Sequence, residues 1–156
     1  MEFHIATEKE LKYCCRRLRE LGRWKQMYPD GWTCSEAEFA AWMLRYNFPV
    51  TVARDDGTPV VLCYLHDFEG HTGCISYFAV ERLPHDTPHV FRAVVRSYFE
   101  RSELVALFGH INGSNRVALH IARRVGFREA VKIPAGAADG SDLYYMIVTH
   151  EDLKDG

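Results

Sequence analysis

Long apolar runs are missing from this sequence: none approaches the roughly 20 residues that a membrane-spanning helix needs, and the opening MEFHIATEKELKYCC holds no apolar signal core. No membrane partner is expected, and the sequence reads as a soluble, unexported, cytoplasmic protein. An excess of one charge is missing too, since 19 Lys and Arg stand against 21 Asp and Glu and leave a net charge of −2. That balance argues against a nucleic-acid partner held mainly by charge. A disulfide framework is also absent: five cysteines is an odd number, and Cys14 beside Cys15 in a helical pattern is poorly placed for pairing. Reduced thiols are expected. There is no internal repeat and no low-complexity tail.

What is present is the material for one core. A chain of 156 residues with 47% hydrophobic content is the size of a single domain, here expected over 1–156. After a short strand FHIA, Thr7 and Glu10 form a T-x-x-E capping box ahead of Leu11, Cys14, Cys15 and Leu18, which share one helical face. This first helix should end at Gly22. Ser35 and Glu38 repeat the box before Phe39, Trp42, Met43 and Tyr46, with Pro49 closing the second helix. Three strands follow as an antiparallel meander: PVTVAR, TPVVLCYLH after the turn DDG, and GCISYFAV beyond a loop DFEGHTG. Thr87 as N-cap and Pro88 at the first helical position open a third helix with the stripe Phe91, Val94, Val95 and Tyr98. The strand LVALFGHI comes next, so strand, crossover helix and strand predict a right-handed βαβ unit with parallel pairing. Ligands of such units meet the carboxyl ends of the strands.

The stretch HINGSNRVALHIARRVGF supplies the fourth helix. Ser114 or Asn115 is its cap, Ala118, Ile121, Ala122 and Val125 its buried face, and Gly126 its left-handed end after Arg123 and Arg124. REAVKI, the loop PAGAADGSD and LYYMIVT complete the order β-α-α-β-β-β-α-β-α-β-β.

Asn115, Ala118, Gly126 and Phe127 fall at the spacing of the last conserved helix in the GNAT superfamily of N-acetyltransferases, which the chain resembles from end to end in element order. The resemblance implies a single-domain α/β fold with a mixed central sheet of about seven strands flanked by four helices. It also implies acetyl-CoA as co-substrate, received between the strand before the third helix and the next parallel strand. Backbone groups of Phe78, Ala79 and Val80 would line one side, an N–H near Val80 meeting the oxyanion, with Asn115 opposite. A small-molecule or peptide amine would be the acceptor, and a homodimer is a common state of the fold.

Two departures stand out. The family grips the CoA pyrophosphate with backbone N–H groups of a glycine-rich loop, because phosphates must approach the chain closely. This sequence reads VERLPHDTPHVF there, without glycine. The helix N-terminus at Thr87, with His85, His89, Arg82 or Arg92 as side-chain donors, would have to replace that loop; a proline-capped surface turn is the other reading. Second, the family's acid, a tyrosine that protonates the departing thiolate, is Ala122 here. Tyr144, Tyr145 and Tyr77 are substitutes by position, and an absent acid would lower the rate by on the order of 10² to 10⁴. For the base, His110 at the carboxyl end of its strand comes first, ahead of Glu69 and His71.

The spacing Cys63, His66, His71, Cys74 offers two sulfur and two nitrogen ligands for zinc. Residues three apart on a strand point to opposite faces, so no metal is expected. Trp24, Tyr28 and Trp32 gather around the turn Pro29-Asp30-Gly31, in the connection that covers the acceptor cleft in the resembled fold. Two functions follow: an acyl-CoA-dependent N-acetyltransferase working by direct attack of an amine, or a catalytically degenerate relative, of the kind phages carry, that serves as a binding or assembly module.

Overall fold

The computed structural model describes residues 1–154. They divide into two compact units, Met1–His66 with Tyr77–Pro84, and Asp67–Ser76 with the chain from His85 onward.

The first unit begins with β1 (Glu2–Ile5) and α1 (Glu8–Glu20). The helix starts where the sequence predicts, because both halves of the capping box form: Thr7 Oγ1 accepts the Glu10 amide at 3.2 Å and the Glu10 carboxylate accepts the Thr7 amide at 3.1 Å. The Ser35 and Glu38 box opens α3 (Glu36–Tyr46) in the same way, at 3.1 and 2.8 Å. Between them lies a single-turn helix, α2 (Trp24–Met27), which the sequence pattern does not predict. Four residues carry too little periodicity to read, and what holds the turn is burial of Trp24 and Met27. α1 packs on α3. Leu11, Cys14, Cys15 and Leu18 meet Phe39, Ala40 and Met43 in a core that also takes in Leu62, Tyr64 and Val80. β2 (Val50–Ala53) joins β1 and β3 (Pro59–Glu69) by antiparallel ladders.

The second unit holds the turn between β3 and β4 (Thr72–Ala79), then α4 (Thr87–Glu100), β5 (Ala106–Asn112), α5 (Arg116–Val125), β6 (Arg128–Ile133), β7 (Leu143–Thr149) and a closing 3-10 turn at Glu151–Leu153. DFEGHTG is not the loop expected from its polar composition. β3 continues to Glu69 and β4 starts at Thr72, leaving Gly70 and His71 as the turn. Gly70 makes that tight reversal at φ 57°, and Asp67 is also left-handed at φ 49°. β4 and β5 pair in parallel over Thr72–Cys74 with Ala106–Phe108, and β7 lies antiparallel to β5 and β6.

The sheet order β1-β2-β3-β4-β5-β7-β6 makes one mixed seven-stranded sheet, as expected, with the four long helices where their stripes place them. No helix among the described residues is long and apolar enough to cross a membrane.

Candidate active site

In the first unit the end of β4 and the residues after it are held by side chains of α1 and by Arg23, which precedes α2. Arg23 Nη1 donates to the Ala79 carbonyl. Tyr13 Oη donates to Glu81 at 2.8 Å and Arg17 Nε donates to the same carboxylate oxygen at 2.7 Å. These partners hold Glu81 below the ordinary carboxylate range, while burial and that carboxylate push the Tyr13 phenol up. Glu81 is therefore a charged tether at neutral pH rather than a proton acceptor. The expected oxyanion donor near Val80 is also engaged: the Val80 amide donates to the Val60 carbonyl at 2.9 Å. Val80 is fully buried, and an unpaired amide there would be costly.

The aromatic residues of the first unit form one cluster. Tyr28 and Trp32 rings meet edge-on with centroids 4.7 Å apart, Trp32 and Trp42 lie at 5.4 Å, and Trp24 and Tyr28 at 4.9 Å. Tyr64 stacks on Phe78 at 6.3 Å, which places a residue of the β4 terminus within the same packing. Trp24 Nε1 is satisfied by the Trp32 carbonyl at 2.8 Å. The Tyr28 hydroxyl is buried with no hydrogen-bond partner among the described residues, and burial pushes its phenol far up from the ordinary range.

In the second unit α4 starts differently from expectation. Asp86, not Thr87, is the N-cap, and Thr87 and Pro88 are the first two helical residues. The first four N–H groups of a helix lack intrahelical partners, so proline is as well tolerated one place further in. Thr87 is only 4% exposed, whereas His85 and His89 are exposed. Arg92 is not available to phosphate: its Nη1 donates to the Val125 carbonyl at 2.7 Å and its Nη2 to the Leu153 carbonyl at 3.0 Å. It ties α4 to the end of α5.

Asn115 is the cap of α5, its Oδ1 accepting the Ala118 amide at 3.1 Å. Beside it, Asp139 accepts the hydroxyls of Ser114 and Ser141, and the Ser141 amide at 3.0 Å. Those bonds lower Asp139 to about 2. The loop between β6 and β7 is thereby fastened to the start of α5. At the other end Gly126 takes φ 124°, and its amide bonds to the carbonyls of Ala122 and Arg123. Ala122 is buried, and α5 packs against α4.

His110 is exposed on β5 and stands directly opposite Tyr145 on β7, with ring centroids 4.2 Å apart. An imidazole thus packs against a phenol on the adjacent strand. Glu69 and His71 sit exposed at the tip of the β3–β4 turn. Of the residues weighed as zinc ligands, Cys63 is fully buried, and burial pushes the Cys74 thiol up. Sequence reasoning passed over Tyr13, Arg17, Arg23 and Glu81, because partners more than 50 residues apart leave no local signal.

This arrangement is the fold of the GNAT N-acetyltransferases. A chimera of spermidine N-acetyltransferase SpeG from Vibrio cholerae and hSSAT matches 100% of this chain and 100% of its own, with a TM-score of 0.78 and 12% identity. A GNAT-family acetyltransferase from Bacillus anthracis matches 96% of this chain and 94% of its own, at 0.75 and 17%. Aminoglycoside acetyltransferase AAC(6')-Ib, solved with coenzyme A and kanamycin, matches 99% and 97%, at 0.73 and 14%. No protein-family model and no curated protein matches the sequence.

Proposed function

We propose that the chain is an N-acetyltransferase that moves an acetyl group from acetyl-CoA to an amine by direct attack. The observation that carries this reading is the whole-length likeness to acetyltransferases, together with Asn115 at the start of α5. Asn115 uses its oxygen on the helix and keeps its amide nitrogen to donate to the pantetheine arm. His110 removes the proton as the amine nitrogen forms its bond to the acetyl carbon. The C–S bond then breaks, and Tyr145, beside His110, is the group placed to return a proton to the thiolate. Of the phosphate-binding candidates, the exposed side chains of Arg82, His85 and His89 remain, since Thr87 is buried and Arg92 is committed.

The aromatic cluster supports an acceptor whose amine sits on an apolar or aromatic body.

Thermal unfolding with and without acetyl-CoA tests the reading. Binding at about 100 times the dissociation constant adds about 2.7 kcal/mol, and no shift at millimolar acetyl-CoA would remove the enzyme from consideration. A second reading, a non-catalytic binding or assembly module, is favoured by one observation: α4 opens on Asp86, Thr87 and Pro88 where the family has glycines.

A further inference from the structure

The outer face of α5 carries charge of one sign. Arg116, His120, Arg123 and Arg124 follow the i, i+4, i+7, i+8 spacing of a single helical face, and all four are exposed. Ala118, Leu119, Ile121, Ala122 and Val125 turn inward, and the helix has no acidic residue. Among the described residues none of the four exposed side chains has a hydrogen-bond or ion-pair partner. By contrast, Arg92 and Arg96 both donate to the Leu153 carbonyl at 3.0 Å, and Arg128 meets Asp152 at 3.5 Å.

Helix stability does not account for this pattern. Arg123 and Arg124 lie in the last turn and complement the negative end of the helix dipole, but Arg116 is the first helical residue, where a cation is unfavourable. α1 and α3 place Glu8 with Glu10, and Glu36 with Glu38, in that first turn instead. Cations three and four residues apart on a helix also repel one another when no anion lies between them. Negative charge from outside the helix would relieve both effects at once.

We propose that this face of α5 docks an acidic segment of a partner protein, whose Glu and Asp carboxylates bridge Arg116, Arg123 and Arg124. Val117, 62% exposed on the same helix, supplies an apolar contact beside them. The planar guanidinium suits this occupant, because it binds a carboxylate through two parallel N–H···O bonds. From Arg116 to Arg124 the helix rises about 12 Å, the length of about four extended residues, so a short acidic run is sufficient. A long polyanion fits less well. Outside α5 the acidic residues outnumber the basic ones, so a nucleic acid or lipid surface that ran beyond the helix would meet net negative charge. The exposed face also holds no Phe, Tyr or Trp on which bases could stack, and no bulky apolar side chain to enter a bilayer.

Fluorescence anisotropy of the full chain with a labelled hexaglutamate peptide tests the docking. The wild type should bind saturably at low salt and more weakly as salt rises. Arg116→Glu combined with Arg124→Glu should raise the dissociation constant about tenfold or more. Lys9→Glu combined with Lys25→Glu makes the same change of net charge at exposed positions of the first unit, and should alter it less than about twofold. Arg116→Glu puts an acid at the positive end of α5, so that variant should melt no lower than wild type. Arg124→Gln, which removes one charge and adds none, should weaken binding about threefold. A wild type that fails to bind at millimolar peptide overturns the proposal, as does a loss no larger in the α5 variants than in the Lys9 and Lys25 variant. Tighter binding of a labelled oligothymidylate, or of phosphatidylserine vesicles, that is lost in the same α5 variants would assign the face to a nucleic acid or a membrane and overturn it too.

Discussion

Asn115 Oδ1 accepts the backbone N–H of Ala118 at 3.1 Å. The N-x-x-A spacing therefore has a structural use in this chain whether or not a ligand is present, and the two roles separate by substitution. Asn115→Ala should lower stability by about 1 kcal/mol through loss of the cap. Asn115→Ser keeps a capping oxygen and removes the amide donor. Its urea midpoint should stay near wild type while the thermal shift given by acetyl-CoA falls; an undiminished shift would mean that the side chain does not touch the pantetheine arm.

Arg92 is a tertiary clasp in the second unit, with its guanidinium on the Val125 and Leu153 carbonyls. Bonds from a charged donor to buried carbonyls contribute more than neutral ones. Arg92→Met should destabilise by on the order of 2–3 kcal/mol in urea unfolding. Arg92→Lys should recover only part of this, since an ammonium lacks the fork that reaches both carbonyls.

Tyr28 offers the opposite sign. Its buried hydroxyl has no partner among the described residues, and leaving such a group unsatisfied is unfavourable by about 1–3 kcal/mol. Tyr28→Phe should raise the melting temperature of the free protein. If the hydroxyl holds the acceptor amine, the same variant should raise KM for a phenethylamine acceptor about tenfold or more, with little change in kcat. A change in Tm without a change in KM would assign the cluster to packing alone.

Asp139 lies below its ordinary value of 3.8, at about 2, because it accepts from Ser114 and Ser141. A carboxyl lowered on folding contributes stability that is present above pH 3.8 and lost as the pH falls toward 2. Asp139→Asn should flatten the acid limb of a Tm-against-pH curve in that window and leave the curve above pH 5 parallel to wild type. An acid limb as steep as wild type would show that the bonds fastening the loop to α5 do not contribute.

Cys14 and Cys15 are buried, and burial pushes their thiols up to about 12 and about 11. The thiolate is the reactive form, so both should stay silent to Ellman's reagent in the native protein at pH 8. All five cysteines should react once the chain is unfolded in guanidinium.

The four long helices were legible in the sequence because their signals are local. Thr7 with Glu10, Ser35 with Glu38, and Asn115 with Ala118 each complete a bond within three residues, and the apolar stripes repeat every three or four. The parallel β4–β5 pairing was readable from strand, helix and strand, because a crossover of that length leaves few alternatives. The start of α4 was misplaced by one residue, since Asp86 and Thr87 are both good caps and Pro88 tolerates either.

The sequence by itself determined where three of the four long helices begin, which of their faces are buried, and the order of elements along the chain, because caps, periodicity and turns act between near neighbours. Only the tertiary structure decided that Arg92 serves α5 rather than a phosphate, that Glu81 is held by Tyr13 and Arg17, and that Val80 gives its amide to Val60. Each of those outcomes depends on which groups meet across long stretches of chain. There, a buried donor or charge takes whatever partner the packing brings within reach.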